Sequence, residues 1–324
     1  MQVFAIIAML VVACLATVAA RAQDAWPSRQ VNLLVPYPAG GYIDAVTRLV
    51  AEGMREKFGQ PFVVLNRVGG NGQVALGELS RAAPDGYTLL TNNEGGISVP
   101  PALDRNFKFD PAKDFTALAQ VVAADYVLII RSSLPARNVA EFVALAKNST
   151  KPVSYASPGT GSTPHIAMEF FARQVGAEFL HVPYAGAAPA MNDLASGQID
   201  SYMPSVPTMI GQATNEKLRI LAALGKTRAS HFPDVPTMEE SGHPGLVLDG
   251  WLGLFGPPNM SESLRTRISA ALAEVVREPR LSDKLRSIGS APVTRDAATF
   301  APFYLSEVAR WKKFSETTNI KVGD

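Results

Sequence analysis

The chain has 324 residues, 47% of them hydrophobic, with 30 Lys and Arg against 29 Asp and Glu. That is long enough for about two domains and too apolar for an acidic disordered protein. With no basic excess and no run of Lys or Arg, nucleic acid is not expected as a partner, because such affinity comes from neutralising several phosphates at once. The one cysteine is Cys14, in a segment read below as removed on export, so disulfide scaffolds, cysteine-ligated zinc and thiol catalysis are excluded from the mature chain.

Residues 3–20 form an uncharged apolar run, followed by the small-x-small site Ala20-Arg21-Ala22 and the polar Gln23-Asp24. This reads as a secretory signal peptide, 1–22, cleaved after Ala22. No Lys or Arg precedes the run, so either the true start codon lies elsewhere or the amino terminus supplies the positive charge. Val11-Val12-Ala13-Cys14 resembles a lipoprotein box, but little apolar length precedes Cys14. A retained anchor is the other reading, since the run nears the roughly 20 residues of a membrane span. The mature chain is expected in the periplasm.

After Trp26-Pro27, β-rich runs alternate with stretches of helical spacing. Strands are expected at Val31–Pro36, Phe62–Leu65, Tyr87–Thr91, Tyr126–Ile130, Val153–Tyr155, Phe179–Val182, Ile199–Met203, Leu218–Ala223 and Leu248–Phe255. The first helix carries Val46, Leu49, Val50, Gly53 and Met54 on one face, with Asp44 as N-cap and Gly59 past its end. Others open at Asn138, with Glu141 at the capping-box position, and at Ser162, Ala187 and Ser261. Such alternation implies α/β domains with largely parallel sheets, whose ligands sit where helices begin. The runs Tyr126–Arg131, which follows a polar loop, and Gly250–Pro257 read as crossings between domains. If both are hinges, the fold is a two-lobed α/β with domain I at 23–126 and 250–324, and domain II at 127–249.

Enzyme signatures fail on inspection. Gly70-Asn-Gly72-Gln-Val-Ala75 fits a dinucleotide fingerprint, but Thr91-Asn92-Asn93 stands where the next strand needs an acid. Gly225-Lys226-Thr227 lacks the upstream Walker glycine, which is Ile220 here. His165, His181, His231 and His243 are not spaced as ligand pairs, and there is no GxSxG or HExxH. No cofactor and no metal are expected.

What remains is a set of small-residue loops that follow strands and open helices: Pro36–Asp44, Asn92–Gly96, Ser157–Thr163 and Pro183–Pro189. Helix-start N–H groups carry partial positive charge and bind anions without Lys or Arg, while glycine lets backbone approach a ligand. A single such loop is most simply a turn; four of them, split between two domains, point to a ligand. One helix start is worth at most about 2 kcal/mol, and micromolar affinity needs about 8 kcal/mol net of association costs. Several loops must therefore act together.

At these loops the sequence resembles the Bug family (Bordetella uptake gene proteins), extracytoplasmic receptors of tripartite tricarboxylate transporters. The resemblance rests on Trp26–Pro36, Ala39-Gly-Gly41 with Asp44, Asn66-Arg67 before Gly69–Gly72, Ala83–Leu90, Asp110–Phe115, Tyr155–Ser162 with His165, His181–Tyr184 with Gly186 and Pro189-Ala190, Phe232–Thr237 and Trp251–Phe255. It implies a type II periplasmic-binding-protein fold, with no enzymatic activity, that closes around a small carboxylate held by backbone amides, hydroxyls and water. Carried over by position, Ala39, Gly40, Gly41 and Asp44 form the first-lobe clamp. Ser157, Thr160, Gly161 and Ser162 supply hydroxyls and N–H groups from the second lobe, with Tyr184, Gly186 and Ala187 at the opposing helix start. Ser162 and Asp44 also serve as plain N-caps, and Tyr184 as a packed aromatic.

Departures from the family pattern bear on the ligand. Ala185 stands where Lys is common, Pro204-Ser205 replaces Asp-Asn, Tyr37, Tyr42 and Ile43 make the first loop more apolar, and Asn93-Glu94 brings a carboxylate to the second. These features predict a mono- or dicarboxylate with an apolar body, aromatic or not, with Tyr37, Tyr42, Asn93, Glu94 and Ser205 joining the contacts. Glu94 is alternatively a partner for a ring nitrogen, amide or amine. The expected partners are the membrane subunits of such a transporter or, in a sensory role, a sensor kinase, and the chain is expected to be a monomer. An esterase-like enzyme using Ser162, Asp44 and His165 is the rival from another class.

Overall fold

Short apolar runs bounded by proline, glycine or polar residues become strands, and the amphipathic stretches between them become helices. The computed structural model describes residues 26–318, so the expected leader and Cys14 lie outside the described residues. In chain order the elements are β1 (Val31–Val35), α1 (Tyr42–Phe58), β2 (Phe62–Asn66), a 3-10 turn (Gly70–Gly72), α2 (Gln73–Ser80), β3 (Thr88–Asn93), α3 (Glu94–Ile97), α4 (Pro100–Leu103) and β4 (Thr116–Asp125). They continue with β5 (Val127–Arg131), α5 (Val139–Asn148), β6 (Val153–Ser157), α6 (Thr163–Val175), β7 (Phe179–Pro183), α7 (Ala187–Ser196), β8 (Ser201–Tyr202), α8 (Val206–Met209), a 3-10 turn (Ile210–Gln212) and β9 (Leu218–Ala223). The chain ends with β10 (Asp249–Gly256), α9 (Glu262–Arg277), α10 (Pro279–Ser287), β11 (Ala291–Arg295) and α11 (Ala297–Thr318).

The strands form two sheets, ordered β11-β4-β10-β3-β1-β2 and β7-β6-β8-β5-β9, each the centre of one lobe of a two-lobed α/β fold. The chain leaves the first sheet on β4, enters the second on β5, and returns from β9 to β10. An outgoing and a returning strand laid side by side must run antiparallel. Accordingly β4 pairs antiparallel with β10 and β5 with β9, while β1, β2 and β3 and the β6, β7 and β8 group pair in parallel. The sheets are thus mixed, which corrects the expectation of largely parallel ones. The supposed polar loop before Tyr126 is β4, a long, mostly buried strand that sequence reading passes over. β11 was missed as well; it lies at a sheet edge, the place where a strand tolerates a proline such as Pro292.

Helix starts carry the information needed for the site. Asn138 Oδ1 accepts the Glu141 N–H at 2.8 Å and Ser261 Oγ the Leu264 N–H at 3.3 Å, so α5 and α9 are capped as predicted. α11 uses the same device, with Asp296 Oδ1 accepting the Thr299 N–H at 2.9 Å. α1 departs from expectation: its N-cap is Gly41, and Asp44 lies within the first turn. The buried Asp44 carboxylate accepts from Gly40 N and Asn66 Nδ2 and takes both Nε and Nη2 of Arg48, all at 2.9 Å, which ties the loop to β2 instead of closing the helix start. Against the burial that would raise it, Arg48, Gly40 and Asn66 hold this carboxyl below its ordinary range.

Each lobe has its own buried core. Leu33, Val46, Val122, Leu254 and Ile268 belong to the first, and Leu128, Phe142, Tyr155, Ile166 and Phe171 to the second. α11 touches both, placing Phe300 and Tyr304 in a first-lobe cluster and Trp311 in the second-lobe core.

Candidate ligand-binding cleft

A cavity of about 230 Å³ lies between the lobes at the helix-start ends of the strands. From the first lobe it is lined by Tyr37 through Ile43, Asn93 and Gly95; Tyr126 stands at the crossing. The second lobe contributes Pro158, Ser162, Thr163, Pro164, the run Ala185–Pro189, Tyr202, Ser205 and Thr208. Of the residues singled out from sequence, Tyr37, Ala39, Gly40, Gly41, Tyr42, Asn93, Ser162, Gly186, Ala187 and Ser205 are on this wall.

The others stand behind or beside it. Asp44 is engaged with Arg48 and Asn66 as above. Glu94 is 2% exposed, and its carboxylate is taken up by Tyr126, Thr163 and the Trp251 N–H, so it presents no free oxygen to a ligand amine. Ser157 is fully buried and Gly161 is buried, with the Gly161 N–H donated to His165 Nδ1 at 3.0 Å. Thr160 is exposed off the wall, and Tyr184 donates its hydroxyl to Asp193 at 2.8 Å. Tyr126, Tyr202 and Thr208 reach the cavity without any local motif to announce them. The only hint in sequence was the position of Tyr126 at a proposed crossing.

The helix starts on the wall are open. α1, α6 and α7 begin after Gly41, Ser162 and Gly186, and none of these accepts a first-turn N–H through a side chain. Ser162 has a suitable hydroxyl, yet donates it to Gly159 O at 2.6 Å. Gly186 sits at φ +127°, a conformation that excludes the usual capping residues. Helix starts from both lobes therefore lie at one space without a capping side chain, with Pro164 in α6 and Pro189 in α7 contributing no N–H of their own. No Lys, Arg, His, Asp or Glu lines that space, so its attraction for anions comes from these dipoles and from hydroxyls.

Residues 46–320 match the tripartite tricarboxylate transporter family receptor. The chain belongs to that family. Among solved receptors of this kind, the periplasmic binding protein BugD superposes with a TM-score of 0.84 at 29% identity, covering 91% of this chain and 99% of BugD. An R. palustris protein solved with adipate gives 0.86 at 30% identity, with 91% and 99% covered. MatC from Rhodopseudomonas palustris, with bound malate, gives 0.83 at 28%, with 89% and 99% covered.

In this receptor the hydrolytic trio considered from sequence is not assembled. Ser162 is bonded to Gly159, His165 Nδ1 to the Gly161 N–H, and Asp44 to Arg48. A serine and a histidine do meet, Ser157 Oγ and His181 Nε2 at 2.7 Å, but Ser157 is wholly buried and also bonded to Gly159 O, out of reach of a substrate. His165 and His181 stack at 4.0 Å, and burial lowers each to about 4, so both are neutral structural groups near neutral pH. Among the described residues there is no metal-binding cluster and no helix long and apolar enough to cross a membrane.

Proposed function

We propose that the protein is a periplasmic solute receptor that captures a small mono- or dicarboxylate with an apolar body, aromatic or aliphatic, between its lobes and presents it to the membrane subunits of a tripartite tricarboxylate transporter. The observation that carries this reading is the convergence of uncapped helix starts from both lobes on a cavity without side-chain cations. A ligand that contacts both lobes only when they meet shifts the open-closed equilibrium toward closure. The adipate and malate bound by related receptors support a carboxylate as ligand. The tyrosines, prolines and alanines of the wall support an apolar body over a tricarboxylate.

In this reading Gly40, Gly41, Ser162, Gly186 and Ala187 hold the carboxylate, Tyr37, Tyr42, Tyr126 and Tyr202 enclose its body, and the hinges divide the chain into 23–126 with 250–324, and 127–249. The test is calorimetry and thermal shift of the mature protein against adipate, malate, benzoate and citrate. A bound acid at 100 times its Kd raises stability by about 2.7 kcal/mol. Tighter binding of citrate than of the other three would overturn the ligand class. Uptake of the identified acid should vanish in a strain lacking the receptor, and the exported protein should begin at Gln23 and run as a monomer in light scattering.

A further inference from the structure

Glu94 takes no part in the proposed ligand contacts, yet it stands where both crossings and both lobes meet. Its Oε1 accepts the Tyr126 hydroxyl at 2.6 Å and the Thr163 hydroxyl at 3.3 Å, and its Oε2 accepts the Trp251 N–H at 3.0 Å. Tyr126 lies on the outgoing crossing, Trp251 on the returning β10, and Thr163 is the first residue of α6 in the second lobe, whereas Glu94 opens α3 in the first. A Cβ on the neighbouring Gly95 would lie 2.7 Å from Thr163 Oγ1 and 3.3 Å from Thr163 N, so here the backbones of the two lobes touch. The three donors are neutral, and burial with the field of Glu307 raises the carboxyl above its ordinary range. Such a group gains strongly from each donor it keeps, and loses one if the lobes part.

We propose that Glu94 is a positioning residue for ligand capture, a latch whose bond to Thr163 seats the α6 start on the cavity wall only when the lobes are together. The proposal rests on the carboxylate-receptor reading of the cavity. Its test uses Glu94→Gln and Thr163→Val, singly and together, titrated calorimetrically with adipate, malate and benzoate, with the ligand-free radius of gyration followed by X-ray scattering. Each single variant should weaken the tightest of these acids about tenfold, the scale of leaving one buried hydrogen-bonding group without its partner. Each should also enlarge the ligand-free particle, and the second substitution should add little to the first. Unchanged affinity in both single variants, or effects that multiply in the double variant, overturns the latch. A loss confined to Glu94→Gln and matched by a fall in Tm assigns Glu94 a structural role and overturns it equally. If the wild type binds none of the three acids, it is the cavity reading that fails, and scattering alone then decides the latch.

Discussion

At α5, α9 and α11, away from the cavity, a side chain accepts a first-turn N–H; at α1, α6 and α7, whose starts lie on the cavity wall, none does, and none does at α2 or α10 either. A cap contributes about 1 kcal/mol, so forgoing it at three helices gives up stability that α5, α9 and α11 retain. Glycine in a βα loop is explained equally well by a turn. Uncapped starts also occur away from the cavity, at α2 and α10, so a missing cap becomes informative only where three such starts meet on one space.

Four experiments break or sharpen that contrast. The largest effect is expected from Gly41→Phe. Gly41 has an ordinary φ of −77°, and a Cβ there meets only Pro38 O, at 3.5 Å, so the backbone accepts a side chain at this point, and a ring carried on it blocks the α1 start. Affinity for the bound acid should fall at least about 100-fold, or about 2.7 kcal/mol, with Tm near wild type. Unchanged calorimetric affinity would detach α1 from the site.

Next comes pH. The loop entering α6 is held by Gly161 N–H on His165 Nδ1, and burial lowers His165 from 6.5 to about 4. A depressed histidine contributes stability that is intact above 6.5 and is lost as pH falls through 4. Tm and affinity should therefore drop together over that interval, and His165→Asn, which keeps an acceptor that does not titrate, should flatten the affinity. A pH-independent wild type would refute the link.

Smaller effects follow at the caps. Asn138→Ala and Ser261→Ala should each cost about 1 kcal/mol in denaturant unfolding and leave ligand affinity untouched. Smallest is Gly41→Ser, which should add a cap worth a few tenths of a kcal/mol while weakening the ligand, because hydroxyl and carboxylate compete for the same amides. A gain in both quantities would show that the α1 amides are not used.

The contrast was half legible in the sequence. Asn138 with Glu141 and Ser261 are local signals, and both helices begin there. The open starts were read as glycine loops, but that Ser162 turns its hydroxyl away and that Asp44 is spent on Arg48 are tertiary facts. Tyr126, Tyr202 and Thr208 arrive from a crossing, a short strand and a one-turn helix, where nothing distinguishes a cavity residue from a packed one. β4 escaped because Thr-Ala-Leu-Ala-Gln-Val-Val-Ala-Ala-Asp is alanine-rich and buried along nearly its whole length, so neither β-propensity nor alternation marks it. Glu94 was conspicuous as a carboxylate in an anion site, but only its neighbours reveal that it is buried behind the wall and bonded to Tyr126, Thr163 and the Trp251 N–H.

The position of β10 also sets an order of assembly. It pairs with β3 on one side and β4 on the other, although β4 ends at Asp125 and β10 begins only at Asp249. Strands β5 to β9 are contiguous in the chain and can pair among themselves as soon as they exist. The first lobe cannot: until the late strand arrives, β3 and β4 present open edges toward each other, the kind of exposed ladder that recruits wrong partners. Its closing contacts span the whole inserted lobe, which makes them the slow ones to form. The lobe begun first in the chain is therefore the one completed last.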